Sequence, residues 1–486
     1  MQTPHPHDIE DPVLRPKLPI VVDLDGTLVL SDTLHETAAI ALFRNPLGLV
    51  RALPELRRGR HLLKAALARE VDLTNEVLPL REDFVLWLRK KAEDGHELHL
   101  CSAADQTVVD KVAQRLGIFS SATGSATANL KGKAKALYLQ DRFPDGFIYA
   151  GDHEVDLPVW QASQGIVLVG VSSDVRQRAV GLGKPLLGEF HTAPLTPKEF
   201  MKVIRVHHWT KNLLLFVPIT LAHEWFNLEA VLQTLIAFVC LLAVTSATYL
   251  LNDIADLNSD RQHWTKRNRA IASGRLSIRA AFLLAGCLLV GSFVTATILS
   301  LQFAAALASY FVITGAYSLG LKRIPLLDTL IIGVLFTTRL VMGTVLLADS
   351  RPAWLLTFAV FFFFSLATAK RHTEIVRAAL SGDFSIRSRG YEVEDAALTL
   401  ALGIAAALAS LVVLMIFILQ EMMLGRTYAH PEFLNGIPVF LSIWLGRIWF
   451  LSHRGKMNDD PVSFAIRDRS SLGLGGVVVA LFLAAL

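Results

Sequence analysis

Residues 231–251 form an apolar run that ends directly on Asn252-Asp253-Ile254-Ala255-Asp256-Leu257-Asn258-Ser259-Asp260-Arg261. A run of that length crosses a bilayer as a helix. Three carboxylates and an amide then arrive together at a membrane face. If the helix continues, Asn252, Asp256 and Asp260 repeat every four residues and share a face, with Asp253 at its edge. Such a cluster repels itself unless something positive sits in it. Hard divalent cations take oxygen ligands and bridge one or two carboxylates to substrate phosphates. The stretch reads as a Mg²⁺–diphosphate site at the mouth of a helical bundle, because polar groups at membrane depth are costly and by default functional. The competing reading is an acidic loop solvated at the interface.

Apolar residues make up 52% of the 486, more than in ordinary soluble domains, and they are unevenly spread. Residues 1–200 read as a soluble protein, whereas 212–486 are mostly apolar segments. The formal charge of +4 gives no support to a nucleic-acid partner. Cys101, Cys240 and Cys287 have neither metal-ligand spacing nor a paired framework, which fits a reducing compartment for the soluble part. The stretch 1–18 contains prolines and charges and no apolar signal core, so the first domain is expected to stay in the cytoplasm.

Nine apolar runs are candidate spans: 213–226, 231–251, 280–300, 303–319, 327–347, 355–369, 397–419, 436–451 and 472–486. The loops after the even-numbered runs carry seventeen Lys and Arg residues, the intervening loops only Arg351 and Arg426. The positive-inside rule therefore puts the acidic motif on the cytoplasmic side of an inner membrane, the side a cytoplasmic N-terminal domain also requires.

In the soluble part, the short apolar run 19–22 ends in Asp23-Leu24-Asp25-Gly26-Thr27. Further candidate strands lie at 97–101, 146–150 and 166–169, separated by helical stretches such as 105–116 and 133–140. Strand–helix alternation predicts a parallel sheet with helices on both faces, and ligands bind at the carboxyl ends of such strands. The chemistry-bearing residues sit there. Asp23 is placed to attack a phosphoryl group, and Asp25 to protonate the leaving oxygen and later activate water. Ser102 can hydrogen-bond the phosphoryl, and a lysine can offset its charge. Lys131, Lys133 and Lys135 lie close together, and the Asn129-Leu130-Lys131-Gly132 context favours Lys131. Asp152, in Gly151-Asp152-His153-Glu154-Val155-Asp156, can hold Mg²⁺ opposite Asp23. A helical insertion at about 33–80, rich in Leu, Ala and Arg, reads as a small cap whose basic residues, Arg51, Arg57, Arg58, Arg60, Lys64 and Arg69, either hold anionic substrate or anionic lipid or form a solvated face. The Gly/Pro-rich stretch 181–197 reads as connecting chain, and the linker proper is set at 191–204.

Two family resemblances rest on these motifs. The Asn-Asp-x-x-Asp-x-x-x-Asp-Arg stretch, with its continuation from His263 to Gly274, resembles the first signature and following loop of the UbiA superfamily of intramembrane prenyltransferases, over about residues 205–486. Asp-x-Asp-Gly-Thr, Ser102, the lysine and Gly-Asp-x-x-x-Asp together resemble the phosphoserine-phosphatase-like branch of the haloacid dehalogenase superfamily, over about 18–187. That second resemblance implies Asp23 as nucleophile, Asp25 as acid and base, Asp152 and the Asp25 carbonyl as Mg²⁺ ligands, and Asp156 as a ligand or its support. The fold expected is two-domain. Residues 1–190 form a Rossmann-like α/β phosphatase domain with a small helical cap, and residues 205–486 form an all-α polytopic membrane bundle of about nine transmembrane helices.

One departure from the UbiA pattern matters. The family has a second Asp-rich motif in the loop after the sixth span, and here that loop opens Lys370-Arg371-His372-Thr373-Glu374 with no Asp-x-x-x-Asp. An acidic loop and a basic loop suit a metal-bound diphosphate and a bare phosphate, since Arg and Lys make charge-assisted bonds to phosphate. Arg205-x-x-x-Trp209-x-Lys211-Asn212, Tyr317 to Arg323, Thr338-Arg339-Leu340-Val341-Met342-Gly343 and Lys370-Arg371 look like the decaprenyl-phosphate phosphoribosyltransferase branch. The resemblance implies transfer of 5-phosphoribose from phosphoribosyl diphosphate to a polyprenyl phosphate; removal of the 5-phosphate by the fused phosphatase is expected from the fusion of the two domains, not from any motif. Asn252, Asp253, Asp256 and Asp260 become the expected metal ligands. Arg205, Lys211, Arg261, Lys266, Arg269, Tyr317, Lys322, Arg339, Lys370 and Arg371 become the expected substrate-binding residues, with Arg339 facing a cavity inside its span. Mg²⁺ is expected in both domains. The alternative is transfer of a prenyl chain from prenyl diphosphate to an aromatic or other acceptor. The expected partners are a polyprenyl phosphate lipid, phosphoribosyl diphosphate or prenyl diphosphate, and the membrane, with no nucleic acid; a homo-oligomer is left open.

Overall fold

The computed structural model describes residues 17–71, 76–125, 130–347, 353–382, 385–386, 389–424, 428–457, 464–465 and 467–486. Asn129, Arg351 and Arg426 of the sequence reading lie outside them, as does the stretch 1–16. The chain divides into two compact units. One takes the residues up to Val203 together with Leu250–Leu284; the other takes Ile204–Tyr249 with Ala285–Leu486.

The first unit is built on six parallel strands: β1 (Ile20–Val22), β2 (Leu98–Asp105), β3 (Ser121–Ser125), β4 (Ile148–Gly151), β5 (Gly165–Val169) and β6 (Leu186–Phe190). Their order is β3-β2-β1-β4-β5-β6, with Val21 in register between His99 and Tyr149. Two of the six, β3 and β6, were not expected from the sequence; β3 is Ser-Ala-Thr-Gly-Ser, too polar and too short of β-branched residues to signal a strand. Alternation along the strands explains the layers. Ile20 and Val22 belong to one apolar cluster with Phe84, Leu88, Val108 and Val112. Val21 belongs to another with Leu139, Trp160 and Val175. A period of two thus sends successive β1 side chains to opposite faces, each covered by helices.

The insertion after β1 is helical. Asp32 caps the helix Thr33–Arg44 by accepting from Leu34 N, and Asn45 ends that helix while its side chain caps Pro46–Ala52 through Gly48 N. A third helix, Arg60–Glu70, completes the cap.

The second unit is helical apart from short connections and one small antiparallel pair, Ser385–Ile386 with Tyr391–Glu392. Across the described residues, seven helices are long and apolar enough to span a membrane: Leu228–Ala255, Ile278–Leu299, Leu301–Leu319, Leu327–Thr344, Ala353–Leu380, Val393–Gln420 and Pro431–His453. Nine were expected. The last expected span is the shorter helix Arg469–Ala485. The first, 213–226, is no single helix: a 3₁₀ run, Val206–Phe216, gives way to the five-residue helix Val217–Leu221 at Pro218. Hydropathy counts apolar residues, whereas a span also needs an unbroken hydrogen-bond ladder, which proline interrupts. In the bundle's core Ala353–Leu380 packs on both Leu327–Thr344 and Ala396–Leu424.

Candidate functional site

The carboxyl ends of β1, β2 and β4 are adjacent because β1 is the central strand, so the acids that follow β1 and β4 meet. One carboxylate oxygen each from Asp23, Asp152 and Asp156 lie within 4.8 Å of one another, and among the described residues no other acid, His or Cys group is gathered so tightly. Gly26 makes room for this: its φ is +77°, and a Cβ there would stand 2.1 Å from Asp152 Oδ2. Arg81 braces the same turn, donating to the carbonyls of Thr27 and Gly26 and to Thr192 Oγ1. Burial drives the Asp152 carboxyl well above its ordinary range, and the Asp23 and Asp156 charges push it the same way. Oxygen donors crowded so closely are a fit for Mg²⁺, which offsets that repulsion.

A lysine reaches this group, and it is Lys135 rather than Lys131. Lys135 Nζ is 2.9 Å from Asp23 Oδ1 and 3.0 Å from the Tyr149 hydroxyl. Tyr149 in turn donates to Asp156 Oδ1 at 3.0 Å. Burial works against the Lys135 ammonium, but Asp23 and Asp156 outweigh it and hold its proton well above the usual lysine value. Lys131 precedes the positive-φ turn at Gly132 and is exposed, whereas Lys135 lies on the sheet-facing side of the helix Lys133–Arg142 with Ala136 and Leu139. Asp25 accepts from Thr33 N at 2.8 Å through Oδ1, and through Oδ2 from the cap's Lys64 at 3.4 Å. Burial raises its carboxyl, helped by Asp32 and opposed by Lys64. Ser102 is buried and its hydroxyl accepts from Ala104 N at 3.2 Å. Asp156 Oδ2 accepts from the N–H groups of Asp152 and His153, so Asp156 also supports the loop that carries Asp152.

The acidic motif also belongs to the first unit. The long helix ends at Ala255, Asp256 sits in a turn, and a short helix runs Leu257–Gln262. The i→i−4 bonds nevertheless continue, from Asp256 N to the Asn252 carbonyl and from Asp260 N to the Asp256 carbonyl, each 2.9 Å. The positive charge that the cluster demands is supplied by its own loop. Arg269 Nη1 lies 3.1 Å from Asp253 Oδ1 and 2.6 Å from Asp260 Oδ2, and Lys266 Nζ lies 3.8 Å from Asp260 Oδ1. Asp260 is 1% exposed, and its Oδ1 has no hydrogen-bond partner among the described residues. Burial raises that carboxyl and Arg269 opposes the rise. Asn252 and Asp253 are half-buried and Asp256 is exposed. An orphaned buried carboxylate oxygen beside further acids fits a hard cation.

Arg261 does not serve this cluster. Its Nη1 and Nη2 donate to Glu36 at 3.0 and 2.7 Å, Nη1 also to the Val77 carbonyl, and Nε to the Ala272 carbonyl. Neighbours on a helix point about 100° apart, so Asp260 and Arg261 face different surroundings.

In the second unit two expected phosphate ligands are already engaged. Arg339 is 7% exposed; it donates to Asn212 Oδ1 at 2.9 Å, the Tyr310 hydroxyl at 3.0 Å and the Leu335 carbonyl at 2.5 Å. It is buried in protein, away from lipid, but its contacts are structural ones. Arg371 is 2% exposed and pairs with Asp328 through Nε at 2.9 Å and Nη2 at 2.7 Å, and with Glu374. Asp328 also accepts from Tyr391 at 2.6 Å. The sequence reading missed Asp328 and Asn212 as partners, since residues 43 and 127 positions from their arginines leave no local signal. The other expected residues lie nearer the surface. Arg205 stands over the Tyr249 ring and Lys211 over the Phe336 ring. Tyr317 accepts from Arg389 at 2.6 Å. Lys322 and Lys370 are half-buried.

A profile of the UbiA prenyltransferase family matches residues 213–466, just over half of the chain. The chain belongs to the UbiA prenyltransferase family. It is 43% identical over 473 residues to the uncharacterized protein y4nM of Sinorhizobium fredii, covering 97% of this chain and 91% of that one. Over 186 residues it is 33% identical to a decaprenyl-phosphate phosphoribosyltransferase of Mycolicibacterium smegmatis, covering 37% of this chain and 58% of the relative. A solved UbiA homologue from Archaeoglobus fulgidus bound to GPP and Mg²⁺ superposes with a TM-score of 0.44 at 15% identity, over 58% of this chain and 99% of that one.

This UbiA-family member is therefore a multi-pass membrane protein of the transferase class, with a parallel α/β sheet ahead of its helices. Tyr149 and Glu36 are site residues that sequence reasoning did not assign, and Lys64 was named only within the cap's basic face. The Tyr149 hydroxyl had a readable signal, a polar tip within an otherwise apolar strand. Glu36 had none.

Proposed function

We propose that this UbiA-family chain transfers 5-phosphoribose from phosphoribosyl diphosphate to a polyprenyl phosphate and then removes the 5-phosphate at its N-terminal site. What supports it best is the identity to a decaprenyl-phosphate phosphoribosyltransferase, joined to a sequence with one Asp-x-x-x-Asp motif and a basic Lys370-Arg371 in place of the second. In the transfer, a phosphate oxygen of the lipid attacks ribose C1, the C1–O bond to diphosphate breaks, and diphosphate leaves. Asn252, Asp253, Asp256 and Asp260 would hold Mg²⁺, and Arg205, Lys211, Lys322 and Lys370 offer charge for the lipid phosphate. Bound Mg²⁺ supplies neutralisation for the departing diphosphate and for phosphoryl oxygens at the N-terminal site.

The second step is the phosphatase reading, on the likeness to the haloacid dehalogenase superfamily. Asp23 attacks the phosphoryl group, and the ribose 5-oxygen leaves with a proton from Asp25. Asp25 then takes a proton from the water that releases inorganic phosphate. Lys135 fixes Asp23 and neutralises charge, and Asp23, Asp152, Asp156 and the Asp25 carbonyl would hold the metal. The loop charges support a position for both sites on the cytoplasmic side of the inner membrane. Tethering them raises the effective concentration of the intermediate.

Membranes carrying the protein are given labelled phosphoribosyl diphosphate and a polyprenyl phosphate. Label should pass into the lipid extract, stop doing so on chelation, and accumulate as the 5-phosphorylated lipid in the Asp23→Asn variant. If label stays in the aqueous phase while a prenyl diphosphate is consumed, prenyl transfer is the activity and this reading is wrong.

A further inference from the structure

Arg261 closes the acidic motif yet spends its donors elsewhere, on Glu36, Val77 and Ala272. The Glu36 contact is two-pronged and buried on both sides, with Arg261 at 6% and Glu36 at 1% side-chain exposure. Glu36 lies one turn into the helix Thr33–Arg44, and the first residue of that helix donates its backbone N–H to Asp25 Oδ1 at 2.8 Å. The helix whose first peptide orients the Asp25 carboxylate is therefore held along its side by a guanidinium from the acidic motif.

Other contacts fasten the same segment within this unit. Asn258 Oδ1 accepts from Val77 N at 3.1 Å, and Arg261 Nη1 donates to the Val77 carbonyl at 2.9 Å. Gly274, at φ +75°, lies so close to Leu30 that a Cβ there would stand 2.5 Å from Leu30 Cβ. Leu30 is in the same turn region as Asp25, between β1 and the cap.

We infer that Arg261 is a positioning residue for the phosphatase chemistry: through Glu36 it sets the helix whose Thr33 N–H aligns the Asp25 carboxylate. The inference rests on the phosphatase reading of the Asp23–Asp25 site. Its physical content is leverage. A planar guanidinium bonded to both Glu36 oxygens and to a backbone carbonyl fixes angle as well as distance. Asp25 must pass a proton to an oxygen at hydrogen-bond range, and a displacement of about 1 Å can cost up to about a hundredfold in rate.

A lone truncation of Arg261 would leave the Glu36 carboxylate buried without its partner, a folding defect in itself. The test therefore uses the full-length protein in detergent carrying Glu36→Gln with Arg261→Met, and separately Glu36→Asp, which keeps both charges but withdraws the carboxylate by one methylene. Hydrolysis of para-nitrophenyl phosphate is measured with Mg²⁺. The paired variant should lose about tenfold to a hundredfold in kcat with KM changed less than about threefold, and Glu36→Asp should fall between it and the parent. Unchanged kcat in both, or a rise in KM alone, overturns the positioning role. The Asp23→Asn variant separates the two layers. If it still hydrolyses the ester at the parent's rate, the phosphatase reading itself has failed; if it is inactive while the Glu36 and Arg261 variants match the parent, only the positioning role falls.

Discussion

Replacing Lys135 by Met is the sharpest perturbation of the N-terminal site. The ammonium is 3% exposed and stands 2.9 Å from Asp23. At an effective dielectric constant of about 20, a unit pair at that distance attracts by about 6 kcal/mol. Much of this is cancelled by the desolvation of both groups, and removing one partner of a buried pair typically costs about 3–5 kcal/mol. In the variant, the carboxylates of Asp23, Asp152 and Asp156 keep their mutual repulsion without the cation that Tyr149 and Asp23 now share. The protein without metal should therefore melt earlier, and added Mg²⁺ should recover part of the loss. Hydrolysis of para-nitrophenyl phosphate should fall by about 10²–10³ in kcat even at saturating Mg²⁺, the usual cost of deleting one fixed group that stabilises developing charge. Lys131→Met, at an exposed position, should stay within about twofold of the parent. The assay is steady-state release of nitrophenol, with a melting curve in chelator and in Mg²⁺ for each variant. A Lys135→Met enzyme within tenfold of the parent, or a Lys131→Met enzyme as damaged as Lys135→Met should be, would falsify the assignment.

Two further outcomes follow from the contacts. Arg339→Met leaves the buried side-chain oxygen of Asn212 without its donor, so it should destabilise the protein by about 1–3 kcal/mol. The KM for phosphoribosyl diphosphate of the folded fraction should stay unchanged; a raised KM with unchanged melting would return Arg339 to the substrate site. Glu199 is held down to about 2 by bonds from Thr196 and by Arg275, against a usual value near 4.5. Its folded value lies below its unfolded one, so its contribution is present above about 4.5 and lost as pH falls towards about 2. Pepsin cleavage within 196–203 should accordingly rise across that window in the parent but show no such dependence in Glu199→Gln; parallel curves for the two would exclude the ion pair as the cause.

What local order can reveal was readable in advance. Alternation and strand-end acids announce the parallel sheet around β1, because a strand buried on both faces must be apolar throughout and its ends must be polar. The run 231–251 announces a membrane helix, and the following acids a need for positive charge, because charges at such a depth need a partner; Arg269 stands against two of them. Side-chain destinations were not readable. Lys131 and Lys135 are both lysines beside one glycine turn, and only the direction of the helix Lys133–Arg142 over the sheet brings one of them to Asp23. Arg261 reads as part of a diphosphate motif until the chain is folded and Glu36, 225 positions away, is found against it. Arg339 and Arg371 likewise read as phosphate ligands because arginine suits phosphate, yet Asn212 and Asp328 take them first. Sequence decides which charges a segment must neutralise; tertiary packing decides which of the available counter-charges arrives, since an ion pair is set by ångströms between side chains on separate elements, and no periodicity along one element encodes that distance.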